Sequence, residues 1–170
     1  MGDWPRLVNL RRCARGLIYD SGEMTNTTIA LFNNSAAAEL LLVWQIGSAA
    51  GEVVTPQFSY QQGLSLTPGG FTESVVPGDA LPPGVLSSGD QPSAFPASWS
   101  LNTVAPAYDW PATFPFAVLL PGWSLVAQPI DGGTDPIAIS FWWEAILSEY
   151  FDRMHSALCV ELELRAASKS

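Results

Sequence analysis

IAISFWWEAI, from Ile137 to Ile146, decides the fold class. Ile137, Ile139, Phe141, Trp143 and Ala145 alternate with Ala138, Ser140, Trp142 and Glu144. An apolar side chain at every second residue lines one face of a strand, whereas a helix would scatter the same residues around its circumference. That face belongs to a core. Glu39 to Ile46 carries the pattern further, with Leu40, Leu42, Trp44 and Ile46 on one side and Glu39, Leu41, Val43 and Gln45 on the other. Such a run suits a central strand buried on both faces. Near the C-terminus, Leu158, Val160, Leu162 and Leu164 alternate with Cys159, Glu161, Glu163 and Arg165, which predicts one more strand.

Between these anchors the chain reads as short strands and turns. TNTTIALFN (residues 25–33) is β-prone and stops at Asn33-Asn34-Ser35. Val53 to Tyr60 is a further strand, which Pro56 assigns to an edge or a bulge. The proline-rich stretch 77–98 reads as a long surface loop, and Trp99 to Thr103 as a short strand. Phe116 to Leu120 and Ser124 to Gln128 flank Pro121-Gly122-Trp123, a turn or hairpin, and SEYFDRMH (148–155) reads as a helical turn. Fourteen glycines and fourteen prolines punctuate the chain in the way short strands require. Roughly seven to nine strands with turns every 8–12 residues predict an all-β, antiparallel β-sandwich or jelly roll. Residues 1–24 read as an extended N-terminal arm and residues 25–170 as the sandwich domain.

Charge is sparse and placed unusually. The seven basic residues are Arg6, Arg11, Arg12, Arg15, Arg153, Arg165 and Lys169, so residues 16–152 hold thirteen carboxylates and no cation. Residues 1–15 carry +3, the middle −13 and residues 153–170 +1, within a net charge of −9. A body of that sign repels nucleic acid and anionic membrane. Edge lysines commonly deter sheet-to-sheet pairing, and a body without them is expected to cover its edges or to hide surface in an oligomer. The arm arginines Arg6, Arg11, Arg12 and Arg15 are the candidate contacts to an acidic neighbour or to packaged nucleic acid, with a frayed, solvated terminus as the plain alternative. The longest apolar stretch, Ala36 to Trp44, is broken by Glu39 and falls short of the ~20 residues a bilayer helix needs, so no membrane span is expected. Met1 to Asp20 has no continuous apolar run, and a secretory signal is not expected either.

No catalytic apparatus is recognisable. The single histidine, His155, stands four residues from Cys159 without a surrounding nucleophile motif, and a serine triad would need that same histidine. G-x-S-x-G, a phosphate-binding glycine loop and H-E-x-x-H are all missing. Cys13 and Cys159 make neither a disulfide framework nor a metal cluster. Asp131 and Asp135 flank a glycine-rich turn that could hold calcium but reads more simply as an Asx turn. No cofactor is expected, and the chain reads as a non-enzyme. Trp99, Tyr108, Trp110 and Trp123 lie in or beside proline-rich loops and form a candidate platform for stacking on a sugar.

Three segments, IALFNNSAAAELLLVWQI (Ile29 to Ile46), LLPGWSLVAQPI (Leu119 to Ile130) and IAISFWWEAI, resemble in style the small β-sandwich structural proteins of tailed bacteriophage particles. Those are decoration, spike and head- or tail-accessory components. The resemblance covers much of residues 29–146 and carries no specific motif, so no functional residue follows from it. It implies a non-enzymatic virion component, a homo-oligomer with a trimer favoured, in contact with other capsid or tail proteins, and the charge and hydropathy above add that neither membrane nor nucleic acid is an expected partner of the body. The alternative from another class is a carbohydrate-binding β-sandwich module using the four loop aromatics.

Overall fold

A computed structural model describes residues 9–20, 27–50, 56–90, 99–100, 107–111, 115–129, 137–153 and 156. Among the described residues a 3-10 turn, Leu10–Arg12, leads into twelve strands: β1 (Cys13–Asp20), β2 (Thr27–Phe32), β3 (Glu39–Ala50), β4 (Pro56–Gln62), β5 (Thr67–Pro68) and β6 (Phe71–Ser74) come first. The others are β7 (Val85–Asp90), β8 (Trp99–Ser100), β9 (Ala107–Pro111), β10 (Ala117–Leu119), β11 (Trp123–Pro129) and β12 (Ile137–Leu147). Residues 148–153 then form a helical turn.

The strands make two antiparallel sheets. Sheet A runs β10-β3-β12-β1-β6, with β9 also paired to β3, and sheet B runs β5-β7-β2-β11-β4-β8. Setting aside β5, β6 and β7, and taking β9 and β10 as two pieces of one strand, the remaining pairs nest. The first strand pairs with the last (β1 with β12), the second with the next to last (β2 with β11), then β3 with β9 and β10, and β4 with β8. That nesting is a long hairpin rolled on itself, the jelly roll. The three other strands are inserted between β4 and β8, where β6 extends sheet A and β5 and β7 extend sheet B.

The core lies between the sheets. Ile137, Ile139, Phe141, Trp143 and Ala145 of β12 point inward as their alternation requires, against Leu31, Phe58 and Leu125 of sheet B. At one end of the sandwich Asn33, fully buried, ties two connections together. Its Nδ2 donates to the carbonyls of Glu39 and Leu119 at 2.8 and 2.9 Å, and its own carbonyl accepts from Gly122 N at 2.9 Å. Buried main-chain groups away from sheet ladders need such partners, and one asparagine supplies three here. Gly84, with φ of +134°, lets its backbone lie on the Trp143 ring. A Cβ at that position would stand 2.6 Å from Nε1 of the indole, which donates to Pro83 O at 2.8 Å.

Several expectations need correction. Residues 13–20 are not part of an arm: they are β1, hydrogen-bonded to β12 from Cys13↔Glu144 to Asp20↔Ile137 and flanked by β6. The stretch 77–98 is not wholly loop, since Val85–Asp90 pairs with β2 along its length and buries Leu86 and Ser87. Pro56 stands at the first position of β4, which lies between β11 and β8, so the missing N–H weakens no edge. Pro121-Gly122 makes a turn but no hairpin, because β10 belongs to sheet A and β11 to sheet B. Ile46 also changes sides. Gln45 pairs with Trp142 and Val43 with Trp143, leaving Trp44 as an extra residue in a β-bulge, so Ile46 joins Leu41 and Val43 in the core. The helical turn at 148–153 agrees with its expectation, and the strand predicted over 158–165 lies outside the described residues.

Candidate functional site

The outer face of sheet A is where the molecule departs from an ordinary sandwich, apolar inside and polar outside. Strand register lays its side chains out in rows. Moving from the end where β1 begins, Cys13 sits beside Glu144, then Arg15 beside Trp142 and Glu73, then Leu17 beside Ser140 and Phe71. Tyr19 follows on β1.

One half of this face is covered by the chain itself. Leu40, Leu42, Trp44 and Ile146 form a second buried apolar cluster, with Val118, Trp142 and Phe151 packed on it. Phe151 comes from the helical turn 148–153, which is thereby laid across the sheet. The bulge matters here, because it aims the Trp44 indole along the outer face, where Nε1 donates to Glu144 Oε2 at 3.2 Å. Glu144 Oε1 accepts from the main-chain N–H of Asn9 at 2.8 Å, and the Cys13 thiol donates to Asn9 O at 3.4 Å. This polar nest fastens the 3-10 turn over the start of β1.

Burial sets the chemistry of the nest. Glu144 is 4% exposed, and burial pushes its carboxyl above the usual range against the two N–H donors that favour the anion. Burial first and the Glu144 charge second push the Cys13 thiol up to about 12, opposed by the Trp142 indole, which faces the sulfur without reaching hydrogen-bond geometry. A thiol held so firmly protonated is a packing group, not a nucleophile. Beside the nest, a cavity of about 650 Å³ lies between the turn and the helix, lined by Arg12, Glu39, Glu144, Glu149 and Arg153 among others.

The other half is open. Leu17 is 48% exposed, Tyr19 63% and Phe71 61%, and Trp142 is half-buried between the two halves. A groove of about 510 Å³ runs among Leu17, Phe71, Val75 and Trp142, with Gln45 and Ser140 on its floor. The ion pair Arg15–Glu73 stands on its wall, both side chains substantially exposed. Large apolar side chains grouped on one exposed face are the usual mark of a contact surface.

The arginines expected to reach a neighbour have partners within the chain: Arg11 lies 3.7 Å from Asp79, Arg12 bonds Glu39 and Arg15 bonds Glu73. Arg6 lies outside the described residues. The four aromatics of the sugar reading fall on three strands. Trp99 is on β8 opposite Phe58, Trp123 on β11 opposite Gln62, and Tyr108 and Trp110 on β9 in the other sheet. Trp123 is half-buried, and the side chains of the other three are outside the described set. His155, Cys159 and the turn from Asp131 to Asp135 also lie outside it. Among the described residues no three His, Cys, Asp or Glu side chains gather as metal ligands.

Sequence reading missed Leu17, Tyr19 and Phe71. The available signal was Trp142, a tryptophan in the outward phase of a strand whose inward phase was already filled by Trp143. No family model matches the chain, and neither the curated proteins nor the solved structures contain a match to it.

Proposed function

We propose that this chain is a non-enzymatic structural component of a phage particle, which assembles with itself and with capsid or tail neighbours through the sides of its jelly roll. The observation that carries the reading is the open half of the outer face of sheet A, where Leu17 and Phe71, partners across β1 and β6, stand in solvent with Tyr19 on the same strand. Jelly rolls recur in viral capsids and in lectins. Cys13 adds support, since a buried thiol pushed up to about 12 is ill suited to nucleophilic catalysis. Sugar binding has less behind it, because its four aromatics are divided between the two sheets.

The topology also gives the basic residues a place. β1 begins and β12 ends at one end of the sandwich, so Arg11, Arg12 and Arg153 share that end although the sequence separates them by more than a hundred residues. Residues 1–8 lead into it, and in this reading they anchor the subunit. A deletion that tests the anchor stops at residue 8, because a longer one removes β1.

The experiment is to purify particles from lysates of cells carrying the gene and to follow the chain through a density gradient. The reading expects it to sediment with particles at a constant ratio to the other particle proteins. Recovery only in the soluble fraction would refute it.

A further inference from the structure

We infer that two copies of this chain pair face to face through the open half of sheet A, about a twofold axis that sets Arg15 of each copy against Glu73 of the other. The inference rests on the assembly reading above and names its surface, partner and symmetry.

The apolar rows supply the contact. Leu17 and Phe71 are neighbours across β1 and β6, Tyr19 extends the row along β1, and Trp142 forms the inner wall of the groove. Among the described residues, chain beyond the strands covers the Cys13–Glu144 row, Trp142 in the Arg15 row borders that covered cluster, and Leu17 and Tyr19 in the rows beyond stand exposed. Charge selects that partner. Among the described residues, the charged groups on the groove wall are Arg15 and Glu73, one cation and one anion on adjacent strands. A partner with a wholly acidic or wholly basic patch would satisfy one and repel the other. A second copy turned by 180° satisfies both, closing a four-membered ring of alternating charge, and a contact of that kind is isologous. Ion pairs joined in a network contribute more than isolated ones. Twofold contacts give dimers or even-numbered assemblies, in place of the trimer expected from the phage resemblance.

Charge-swapped chains test this directly, read by analytical ultracentrifugation of the full chain over a range of concentrations. Wild type is expected to pass from monomer to dimer. Leu17→Asp with Phe71→Asp is expected to remain monomeric at every concentration, with an unchanged far-ultraviolet spectrum and thermal midpoint. Arg15→Glu alone and Glu73→Arg alone each place like charges across the axis, and each is expected to weaken pairing at least tenfold. Mixed in equal amounts, those two chains restore opposite charges at both contacts and are expected to dimerise as wild type does.

Failure of the mixture to dimerise would overturn the twofold register. Oligomers that persist in the Leu17→Asp, Phe71→Asp chain would overturn the surface while leaving the assembly reading intact, because another face would then carry it. A wild-type monomer at all concentrations would overturn the inference. In that case, a chain ending at residue 156 that newly dimerises would identify residues 157–170 as the occupant of the face. Absence from purified particles, by contrast, is a failure of the assembly reading itself.

Discussion

The two halves of sheet A's outer face share their strands but differ in what lies on them. Over β3 and the end of β12, Leu40, Leu42, Trp44 and Ile146 are buried with Phe151 packed on them, and the 3-10 turn lies beside them over Glu144 and Cys13. Over the middle of β1 and over β6, Leu17 and Phe71 stand mostly in water. The residue types hardly differ, so composition does not decide which half is covered. Among the described residues, cover comes from two short pieces of chain beyond the strands, each held by a specific contact: Phe151 by the apolar cluster and Asn9 by the carboxylate of Glu144. Neither piece reaches past the Arg15 row. A sheet that packs on both faces behaves as a middle layer, and where its own chain stops, a middle layer invites another.

The thiol offers the sharpest break between the halves. In a chain carrying Cys159→Ser, Cys13 lies under the cover with its thiol up at about 12 and is expected to react with iodoacetamide at pH 8 on the order of a thousandfold more slowly than a free cysteine. Tyr19→Cys in the same background, three rows further along the open half, is expected to react freely. Equal rates at the two positions would show that the cover is not in place.

Matched truncations come next. Leu42 is 1% exposed and Leu17 is 48% exposed on the same face. Leu42→Ala is expected to cost about 2–4 kcal/mol in urea unfolding of the monomer, and Leu17→Ala about 0.5 kcal/mol or less. The second variant shows its effect in association instead. Comparable losses of monomer stability would mean that the open half is also packed within one chain.

The smallest effect is the pH dependence of Glu144. Its carboxyl is raised by burial in the folded state, so the native protein holds a proton that the unfolded chain releases near the ordinary value of 4.5. Stability from this group is therefore greatest below that value and declines as pH rises toward the raised one. The difference in unfolding free energy between wild type and Glu144→Gln is expected to fall over that interval and to level off above it. A flat difference would place Glu144 in water, outside the nest.

The β12 strand and both faces of β3 as far as Trp44 were legible because alternation survives wherever each phase of a strand has its own packing layer. β1 was not, since CARGLIYD mixes a charge, a glycine and a closing aspartate into a strand whose burial comes from neighbours remote in sequence. β7 escaped for a similar reason: Ser87 is buried in a strand that pairs with β2, and no local pattern announces a long-range partner. The bulge at Trp44 shifts the phase of β3 by one residue where β10 gives way to β9 as its neighbour, a change of partner invisible in β3 itself. The open surface shares this origin. Leu17 and Phe71 lie far apart in the chain, and only the pairing of β1 with β6 brings them together.

Side-chain footprinting of the wild-type chain by hydroxyl radicals, compared between dilute and concentrated solution, tests the central claim most directly. On concentrating the protein, Leu17, Tyr19 and Phe71 are expected to lose reactivity together, while Leu120 and Leu147, which are similarly exposed but elsewhere, keep theirs. Unchanged reactivity at those three positions, or protection at Leu120 and Leu147 instead, would contradict the account.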